Sequence, residues 1–176
     1  PSSLVSKMVV IEPGVTSDFL EYKAEKSPIS VAFAQPPQKG GMEALTEYAK
    51  RVKPRNKDVQ IHAYGGAGLW GADNDAYRPL YDRLIRSKIY YHGQAGRKRM
   101  VKHLGSCQIF LNPVRKAYQQ AFGLTVLEAM AVGCVVIANN NGNIKNLVKD
   151  SGFIIDENAD DYKFAIEATE LTFKLF

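Results

Sequence analysis

The sequence predicts an α/β fold, a mostly parallel sheet with helices on both faces. Short apolar runs, rich in β-branched and aromatic residues, alternate along the chain with longer segments of helical periodicity. The strand-like runs fall at residues 8–11, 29–33, 59–63, 89–91, 108–111 and 134–137. The helical segments lie near 40–53, 76–87, 95–104, 122–132, 143–149 and 159–175. Repeated strand and helix in this order favours parallel strands, with ligands bound at their carboxyl ends.

Local sequence features predict several of these elements individually. The continuous apolar run at 134–137 is typical of a strand buried on both faces. Glycines after the strand at 59–63 fit neither common nucleotide-binding glycine spacing and predict a tight turn. The segment 95–104 places Met100, Val101 and Leu104 on one helical face. In the last helix, apolar residues persist to the end of the chain, so we expect that it lacks a packing partner within residues 1–176.

Length and composition indicate one globular domain. The chain has 176 residues, of which 45% are hydrophobic and 23% charged. Its 23 Lys and Arg against 18 Asp and Glu give a net charge of +5. This excess suits an anionic ligand but is too diffuse to predict a nucleic-acid partner, and it also fits a solvated basic surface. Both ends resemble cut points, so we expect a domain taken from a longer chain.

The cysteines and the apolar stretches indicate the cellular setting. Cys107 and Cys134 lie in strand-like segments, which predicts buried free thiols rather than a disulfide. A reducing, cytoplasmic compartment is the expectation that follows. No stretch approaches the ~18 apolar residues of a membrane span, and the first residues lack the apolar region of a signal peptide.

One carboxylate stands out in the apolar run 121–133. Glu128 is the only formally charged residue between Lys116 and Lys145, and burying a carboxylate without a partner is costly. Phe122 and Gly123 ahead of it leave a helix N-terminus free to bind an anion, and Glu128 leans back toward that end. A phosphate at the helix tip and a hydroxyl-rich group beside the carboxylate describe a nucleotide sugar. The alternative is a carboxylate satisfied by neighbouring backbone or by a lysine.

The run at 120–133, QAFGLTVLEAMAVG, resembles the E-x7-E signature of retaining glycosyltransferases of the group-one, family-four type. Other segments resemble this family in the same order and spacing. They are residues 10–19, 31–33, 38–41 (QKGG), 63–68, 91–93 and 141–148. The resemblance implies the Rossmann-like donor-binding half of a GT-B enzyme. The N-terminal domain, which contributes the acceptor pocket in this family, is the partner that it implies.

Roles follow from the resemblance position by position. Glu128 corresponds to the glutamate that binds the ribose hydroxyls of a UDP- or GDP-linked sugar. Lys39, beside Gly40, corresponds to the cation that neutralises the departing phosphate, so no metal or other cofactor is expected. Backbone groups near Gly93 correspond to those that read the base. The implied diphosphate site is the helix tip, formed by Phe122, Gly123, Leu124 and Thr125.

Two departures from the family pattern bear on activity. Gln120 occupies the position of the first glutamate, which binds hydroxyls of the transferred sugar in this family. The arginine expected before Lys39 falls at Ala34 or Gln35, and the lost charge-assisted contact is worth about 1.5–3 kcal/mol. A non-catalytic binding or scaffolding module therefore stays open beside the transferase. A nucleotide-sugar epimerase would need an acid/base pair that the sequence does not show.

Other charged and titratable residues have ordinary interpretations. Lys39 by itself is equally typical of a solvated turn lysine. His62, His92 and His103 do not share a metal-ligand spacing with any cysteine or carboxylate, so a zinc site is not expected. The basic run 97–102 is typical of a solvated face, although a weak contact with an anionic membrane surface is also open.

Overall fold

The structure is a computed structural model that describes residues 13–27, 29–118, 120, 122–156 and 158–176. Six parallel strands form one sheet in the order β3-β2-β1-β4-β5-β6. The strands are β1 (Ser30–Ala34), β2 (Gln60–Tyr64), β3 (Tyr90–Tyr91), β4 (Ile109–Asn112), β5 (Val135–Asn139) and β6 (Gly152–Ile155). The helices are α1 (Ser17–Glu21), α2 (Met42–Arg55), α3 (Arg78–Arg86), α4 (Arg97–Ser106), α5 (Leu124–Ala131), α6 (Ile144–Val148) and α7 (Asp161–Leu175).

The two faces of the sheet carry separate apolar layers. Because successive residues of a strand point to opposite faces, Val31 and Phe33 pack with α2, α3 and α7, whereas Ala32 packs with α1, α4, α5 and α6. Cys107 and Cys134 belong to the second layer and are buried free thiols, as the sequence predicts. Burial raises the pKa of both thiols, to about 11 for Cys107 and about 12 for Cys134. The double layer confirms the predicted α/β class.

Five of the six predicted strands match strands of the sheet, and the sixth, at 8–11, lies outside the described residues. Strand β6 and helix α1 were not predicted. The expectation that the last helix lacks a packing partner is wrong. Helix α7 packs along α2, with Phe164, Ala165 and Ala168 buried, and the Tyr48 hydroxyl lies 2.9 Å from Thr172 Oγ1.

The strand order reverses at one place. From β1 the chain adds β2 and β3 on one side, then crosses back to add β4, β5 and β6 on the other. The loops that leave the carboxyl ends of β1 and β4 therefore diverge in opposite directions and open a crevice between them. Ligands of open α/β sheets bind at such a reversal.

Among the described residues, no helix combines the length and the apolar character needed to cross a bilayer.

Candidate functional site

A cleft of about 290 Å³ lies at the carboxyl ends of β1 and β4, at the reversal of strand order. Residues from β2, from the loop after β3 and from α5 complete its walls. Eight residues predicted for the site line it: Gln35, Lys39, Gln120, Phe122, Gly123, Leu124, Thr125 and Glu128. Gly40 and Gly93 do not line it, although each adjoins a residue that does. The fold therefore brings together in one crevice residues that are far apart in the sequence.

The N-terminus of α5 forms one wall of the cleft. Gly123 is its N-cap, and no side chain caps the helix. A Cβ at Gly123 would lie 2.4 Å from the Ile144 Cδ1, so a larger residue would require the buried Ile144 side chain to move. Among the described residues, the first backbone N–H groups of α5 therefore have no side-chain acceptor, and the helix dipole adds a partial positive charge there. This end of the helix can accept an anion.

Glu128 lies in the same wall, one turn into α5. The side chain is partly buried and makes no hydrogen bond or salt bridge to any described residue. Burial raises the pKa of its carboxyl, and the Asp18 charge acts in the same direction, whereas Arg97 lowers it. The alternative in which backbone or a lysine satisfies Glu128 has no contact to support it in the described part of the chain.

Lys39 enters the cleft from the opposite wall, at the end of a short 3-10 turn, Pro37–Lys39, that follows β1. Gly41 then starts α2 with a φ of +85°, and a Cβ there would lie 2.0 Å from the carbonyl oxygen of Pro113. The loop after β1 thus packs directly on the loop after β4. This close packing fixes the position of Lys39 relative to α5.

Arg115 passes over Gly40, next to Lys39. A Cβ at Gly40 would lie 2.5 Å from the Arg115 Cγ, and the Arg115 N–H donates to the Lys39 carbonyl at 3.3 Å. The Arg115 guanidinium pairs with Glu43, with 3.0 Å between Nη2 and Oε1. A guanidinium thus lies beside Lys39, although it comes from the loop after β4 and not from position 34 or 35.

A chain of three side-chain amides crosses the floor of the cleft. Gln35 Nε2 donates to Asn112 Oδ1 at 2.6 Å, and Asn112 Nδ2 donates to Gln120 Oε1 at 3.0 Å. Gln35 and Asn112 are 4% and 1% exposed, so these bonds are shielded from water. Asn112 therefore links Gln120, which occupies the position of the first glutamate of the family pattern, to Gln35, one of the two positions where the arginine was expected.

The far end of the cleft is formed by the loops after β2 and β3. Gly93 has a φ of +67°, and its carbonyl accepts from the N–H of Gly65 at 2.8 Å. Gly93 therefore joins the two loops and does not face the cleft. Gln94 and Ala95, the next two residues, line the cleft together with Gly65. Reading of a base by backbone groups near Gly93 stays a prediction.

A second cavity, of about 350 Å³, lies beside the N-terminus of α7. Its buried Asn139 exchanges two hydrogen bonds with the backbone of Val114, and Asp160 caps α7. These polar groups are already paired. In the cleft, by contrast, Gln35 Oε1 and the Tyr64 hydroxyl are buried without a partner among the described residues. Unpaired buried polar atoms indicate the cleft as the ligand site.

The three histidines of the chain cluster behind the β2 side of the cleft. His62 Nδ1 and His92 Nε2 are 3.0 Å apart, the ring planes differ by 18°, and the ring centres are 5.3 Å apart. The distance between the ring centres equals the N···N distance plus one ring radius for each imidazole. The two rings therefore meet edge to edge and share one N–H···N hydrogen bond. Burial, followed by the charges of neighbouring groups, lowers the pKa of His62 to about 4. In the described part of the chain, no group of three or more histidines, cysteines or carboxylates could hold a metal ion.

Sequence reasoning missed several residues of the site. Asn112, Tyr64 and Gln94 line the cleft, and Arg115 adjoins it. For Asn112 a signal exists, since it is the polar residue that ends the buried strand β4, at the edge where ligands bind. Nothing local distinguishes Tyr64 or Arg115, because their places depend on which strands become neighbours.

The family model of group 1 glycosyl transferases matches residues 28–171, which is more than half of the chain. The chain belongs to the group 1 glycosyltransferases. No protein with a curated description matches it. The family membership and the sheet topology confirm the predicted Rossmann-like half of a GT-B architecture.

Solved structures share the fold of this glycosyltransferase chain. A glycosyltransferase from Rickettsia africae superposes with a TM-score of 0.72 at 18% identity, over 97% of this chain and 48% of that one. Anabaena HepE in complex with UDP-glucose gives 0.64 at 18% identity, over 92% and 43%. A variant of S. aureus TarM in complex with UDP gives 0.66 at 16% identity, over 97% and 34%. The chain thus spans about half or less of the length of these structures.

Proposed function

We propose that this glycosyltransferase domain binds a nucleotide-diphosphate sugar in the cleft and presents it for retaining, metal-independent transfer to an acceptor hydroxyl. The observation on which the proposal rests is the meeting of three groups in one cleft. They are the N-terminus of α5, the Lys39 side chain and the carboxylate of Glu128, and among the described residues no side chain caps that helix end or pairs with Glu128. HepE and TarM, which share the fold, hold UDP-glucose and UDP, so a UDP-linked donor is proposed first and a GDP-linked donor second.

Each group suits one part of such a donor. The N–H groups at the tip of α5 and the Lys39 ammonium can hold the diphosphate from two sides. A carboxylate accepts hydrogen bonds without donating any, so Glu128 suits the paired hydroxyls of a ribose. The apolar surface of Ala95 and Met100, with Gly65 and Gly66, suits a flat base at the far end.

The proposed chemistry is the departure of the nucleoside diphosphate from the anomeric carbon. Negative charge grows on the leaving phosphate oxygen as the bond to the sugar breaks. Lys39 and the α5 amides lie where they can stabilise that charge without reorganisation, and this supports a reaction without a metal ion. Unchanged transfer rates in the presence of a chelator are expected, and their loss would contradict the metal-independent part of the proposal.

We further propose that the acceptor hydroxyl comes from a second, N-terminal domain. Support comes from the length comparison, since this chain spans about half or less of the solved structures that share its fold. The 176 residues alone are then expected to bind donor and transfer nothing. Retention is checked by proton NMR of the anomeric configuration in the product of this domain together with its acceptor half. An inverted product would contradict the proposed stereochemistry.

Calorimetric titration with UDP, GDP and ADP tests the donor site. Saturable binding of one nucleotide is expected, with a preference for UDP. Glu128→Gln is expected to weaken that binding by about tenfold or more, because hydrogen bonds to a charged group are worth about 1.5–3 kcal/mol. Glu25→Gln, the same charge change on an exposed residue outside the cleft, is the matched control and should leave the affinity unchanged. Equal effects of the two substitutions would refute a direct role for Glu128.

A non-catalytic binding module is the second candidate. The neutral Gln35–Asn112–Gln120 chain favours it, because Gln120 replaces the first glutamate of the family pattern and the expected arginine falls at Ala34 or Gln35. Such a module would bind nucleotide, or none, and would release no sugar even when joined to an acceptor domain. Transfer by the joined protein excludes this candidate.

The cellular setting is also part of the proposal. The reduced thiols of Cys107 and Cys134 support a reducing, cytoplasmic compartment. The exposed side chains Arg97, Lys98 and Lys102 of α4 support a weak contact with an anionic membrane surface, and no nucleic-acid partner is proposed. Co-sedimentation with vesicles of anionic and of neutral lipid tests the contact. Equal binding to both would contradict it.

A further inference from the structure

We propose that His62, His92 and His103 form a clasp that holds the far end of the cleft closed at neutral pH and releases it in acid, so that the base of a nucleotide binds more weakly as pH falls. The inference rests on the proposed function, because it assumes that a nucleotide binds in the cleft. It adds a means by which pH controls that site. The placement of the three rings, their hydrogen bonds and the charges around them support it.

The three histidines come from the three elements that form the far end of the cleft. His62 belongs to β2, His92 follows β3, and His103 belongs to α4. Each lies two or three residues from a residue that lines the cleft, and these lining residues are Tyr64, Gln94 and Met100, respectively. A force between the rings therefore acts on the wall of the cleft.

The rings contact one another across the boundaries between these elements. His92 is central, with its ring centre 5.3 Å from that of His62 and 5.2 Å from that of His103. The Tyr64 ring stacks on His92 at 4.6 Å and lies 5.2 Å from the His103 ring, whereas Tyr90 stacks on His62 at 5.2 Å. The cluster thus joins β2, the loop after β3 and α4 through side chains alone.

The hydrogen bonds of the cluster require unprotonated nitrogens. His62 Nδ1 and His92 Nε2 are 3.0 Å apart, so one of them donates and the other accepts through a nitrogen that carries no proton. Arg99 Nε donates to His103 Nε2 at 3.4 Å, and because a guanidinium never accepts, His103 Nε2 is unprotonated as well. An imidazolium has only donors. A fully protonated cluster can therefore form neither hydrogen bond.

The formal charges that act on the rings are positive. Lys53 of α2 acts on His62, and Arg99 and Lys102 of α4 act on His103. In the described part of the chain, no carboxylate forms a salt bridge with any of the three rings. A proton taken up by one ring therefore has no carboxylate to pair with, and a proton on a second ring repels the first.

The direction of the pH effect follows from the pKa values. Burial, and then neighbouring charges, lower the pKa of all three histidines, that of His62 from 6.5 to about 4. The closed clasp therefore binds fewer protons than an open one, so closure is complete above pH 6.5 and weakens as pH falls toward the folded values. For each histidine that titrates normally once the clasp is open, the opening equilibrium should rise about tenfold per pH unit below 6.5.

Native-state hydrogen exchange between about pH 7.5 and pH 5 tests whether the clasp opens locally. The Gly65 N–H, which donates to the Gly93 carbonyl at 2.8 Å, joins the loops after β2 and β3 and is the reporter. Its protection, corrected for the intrinsic exchange rate, is expected to fall about tenfold per pH unit below 6.5. The Asn140 N–H, which donates to the Ile155 carbonyl at 2.8 Å on the opposite side of the sheet, should keep its protection. Parallel loss at both amides, or constant protection at Gly65, would overturn the inference.

Calorimetric titration with uridine over the same range of pH measures the effect on the site. Uridine has no phosphate that titrates or is attracted to protonated rings, and guanosine replaces it if GDP is the nucleotide that binds. In the wild type, the affinity is expected to fall about tenfold or more toward pH 5. The affinity at each pH is compared with that of the same variant at pH 7.5, so that other changes in affinity cancel.

His92→Gln is expected to reduce this dependence on pH, because an amide can replace the hydrogen bond of Nε2 without taking up a proton. His103→Gln makes the same replacement on α4 and serves if His92→Gln does not keep the fold by circular dichroism. Tyr90→Phe is the control, because it changes a ring beside His62 but removes no histidine, and it should keep the wild-type dependence.

The outcomes separate the clasp from the donor site. If UDP binds at pH 7.5 but the uridine affinity falls equally in the wild type and in His92→Gln, the inference is wrong and the donor site stands. If no nucleotide binds at pH 7.5, the proposed function fails and the inference with it.

Discussion

Removing the hydroxyl of Tyr64 is expected to stabilise the unliganded domain. Tyr64 is 2% exposed, and its hydroxyl is buried without a partner among the described residues. Its ring lies 4.6 Å from that of His92, nearly parallel, and Tyr64→Phe keeps this contact. A buried polar group without a hydrogen bond costs about 1–3 kcal/mol, so the free energy of unfolding should rise by about that amount.

Tyr48 provides the matched control, because its surroundings differ in one respect. It is fully buried, but its hydroxyl lies 2.9 Å from Thr172 Oγ1. Thr172 Oγ1 already donates to the Ala168 carbonyl at 2.8 Å, so in this pair Tyr48 is the donor. Tyr48→Phe removes a made hydrogen bond and should lower the free energy of unfolding by about 0.5–1.5 kcal/mol. The same single-atom deletion is thus expected to have opposite signs at the two positions.

Urea unfolding followed by circular dichroism measures both variants, with equal slopes required before the midpoints are compared. Repeating the titration with saturating UDP adds a second comparison. If the nucleotide reaches the Tyr64 hydroxyl, the advantage of Tyr64→Phe should shrink when UDP is bound. A loss of stability in Tyr64→Phe as large as that in Tyr48→Phe would refute the reasoning, since it would mean that the hydroxyl has a partner.

Three further predictions concern titration and backbone. Burial raises the pKa of Glu128, so the native state holds its proton to higher pH than the unfolded chain and loses stability as pH rises through that range. Glu128→Gln should therefore raise the midpoint of urea unfolding at neutral pH and make that midpoint less dependent on pH. An unchanged midpoint would count against a buried charge at Glu128. Burial and the nearby His92 lower the pKa of His62 from 6.5 to about 4, so its contribution is complete above pH 6.5 and is lost toward pH 4. His62→Gln should make melting temperatures less sensitive to pH in that window, and an equally steep fall in the variant would contradict the assignment. Gly142→Ala should lower the free energy of unfolding by more than about 1 kcal/mol and weaken UDP binding, because φ is +59° and the new Cβ would lie 2.1 Å from the Gln120 carbonyl oxygen. Gly71→Ala is the control, because φ is +69° but the new Cβ lies in open space. It should lower the free energy of unfolding by less and leave UDP binding unchanged.

Periodicity and glycine placement were enough to predict most of the fold. Five strands and six helices lie within a few residues of their predicted bounds, because apolar runs of strand length alternate with helical patterns. Strand β6 was missed because its run is short and Phe153 is exposed, so no alternation marks it. The packing of α7 on α2 was missed for another reason. Tyr48 and Thr172 are distant in sequence, and only the order of elements around the sheet makes them neighbours.

The candidate site divides in the same way. The helix tip and Glu128 could be predicted because the carboxylate, the glycine and the apolar helix are contiguous in the sequence. Asn112 could not be linked to Gln35 and Gln120, since its role depends on β1 and β4 being neighbours in the sheet. No arginine stands at position 34 or 35, as the sequence shows, but Arg115 from the loop after β4 lies against the loop that carries Lys39.

The buried polar atoms without a hydrogen-bond partner are unevenly distributed over the described residues. Among the described residues, the buried side-chain atoms without a partner belong to Gln35, Gln38, Glu43, Arg51 and Tyr64. All except the Arg51 atom lie in the cleft or in the segment 35–43 that carries Lys39. Two of these residues, Gln35 and Tyr64, line the cleft, so a ligand that pairs their buried atoms should stabilise the domain. Nucleotide binding should therefore raise the melting temperature by the amount that its affinity and concentration require, and the increment should be smaller in Tyr64→Phe than in the wild type if the nucleotide reaches the Tyr64 hydroxyl.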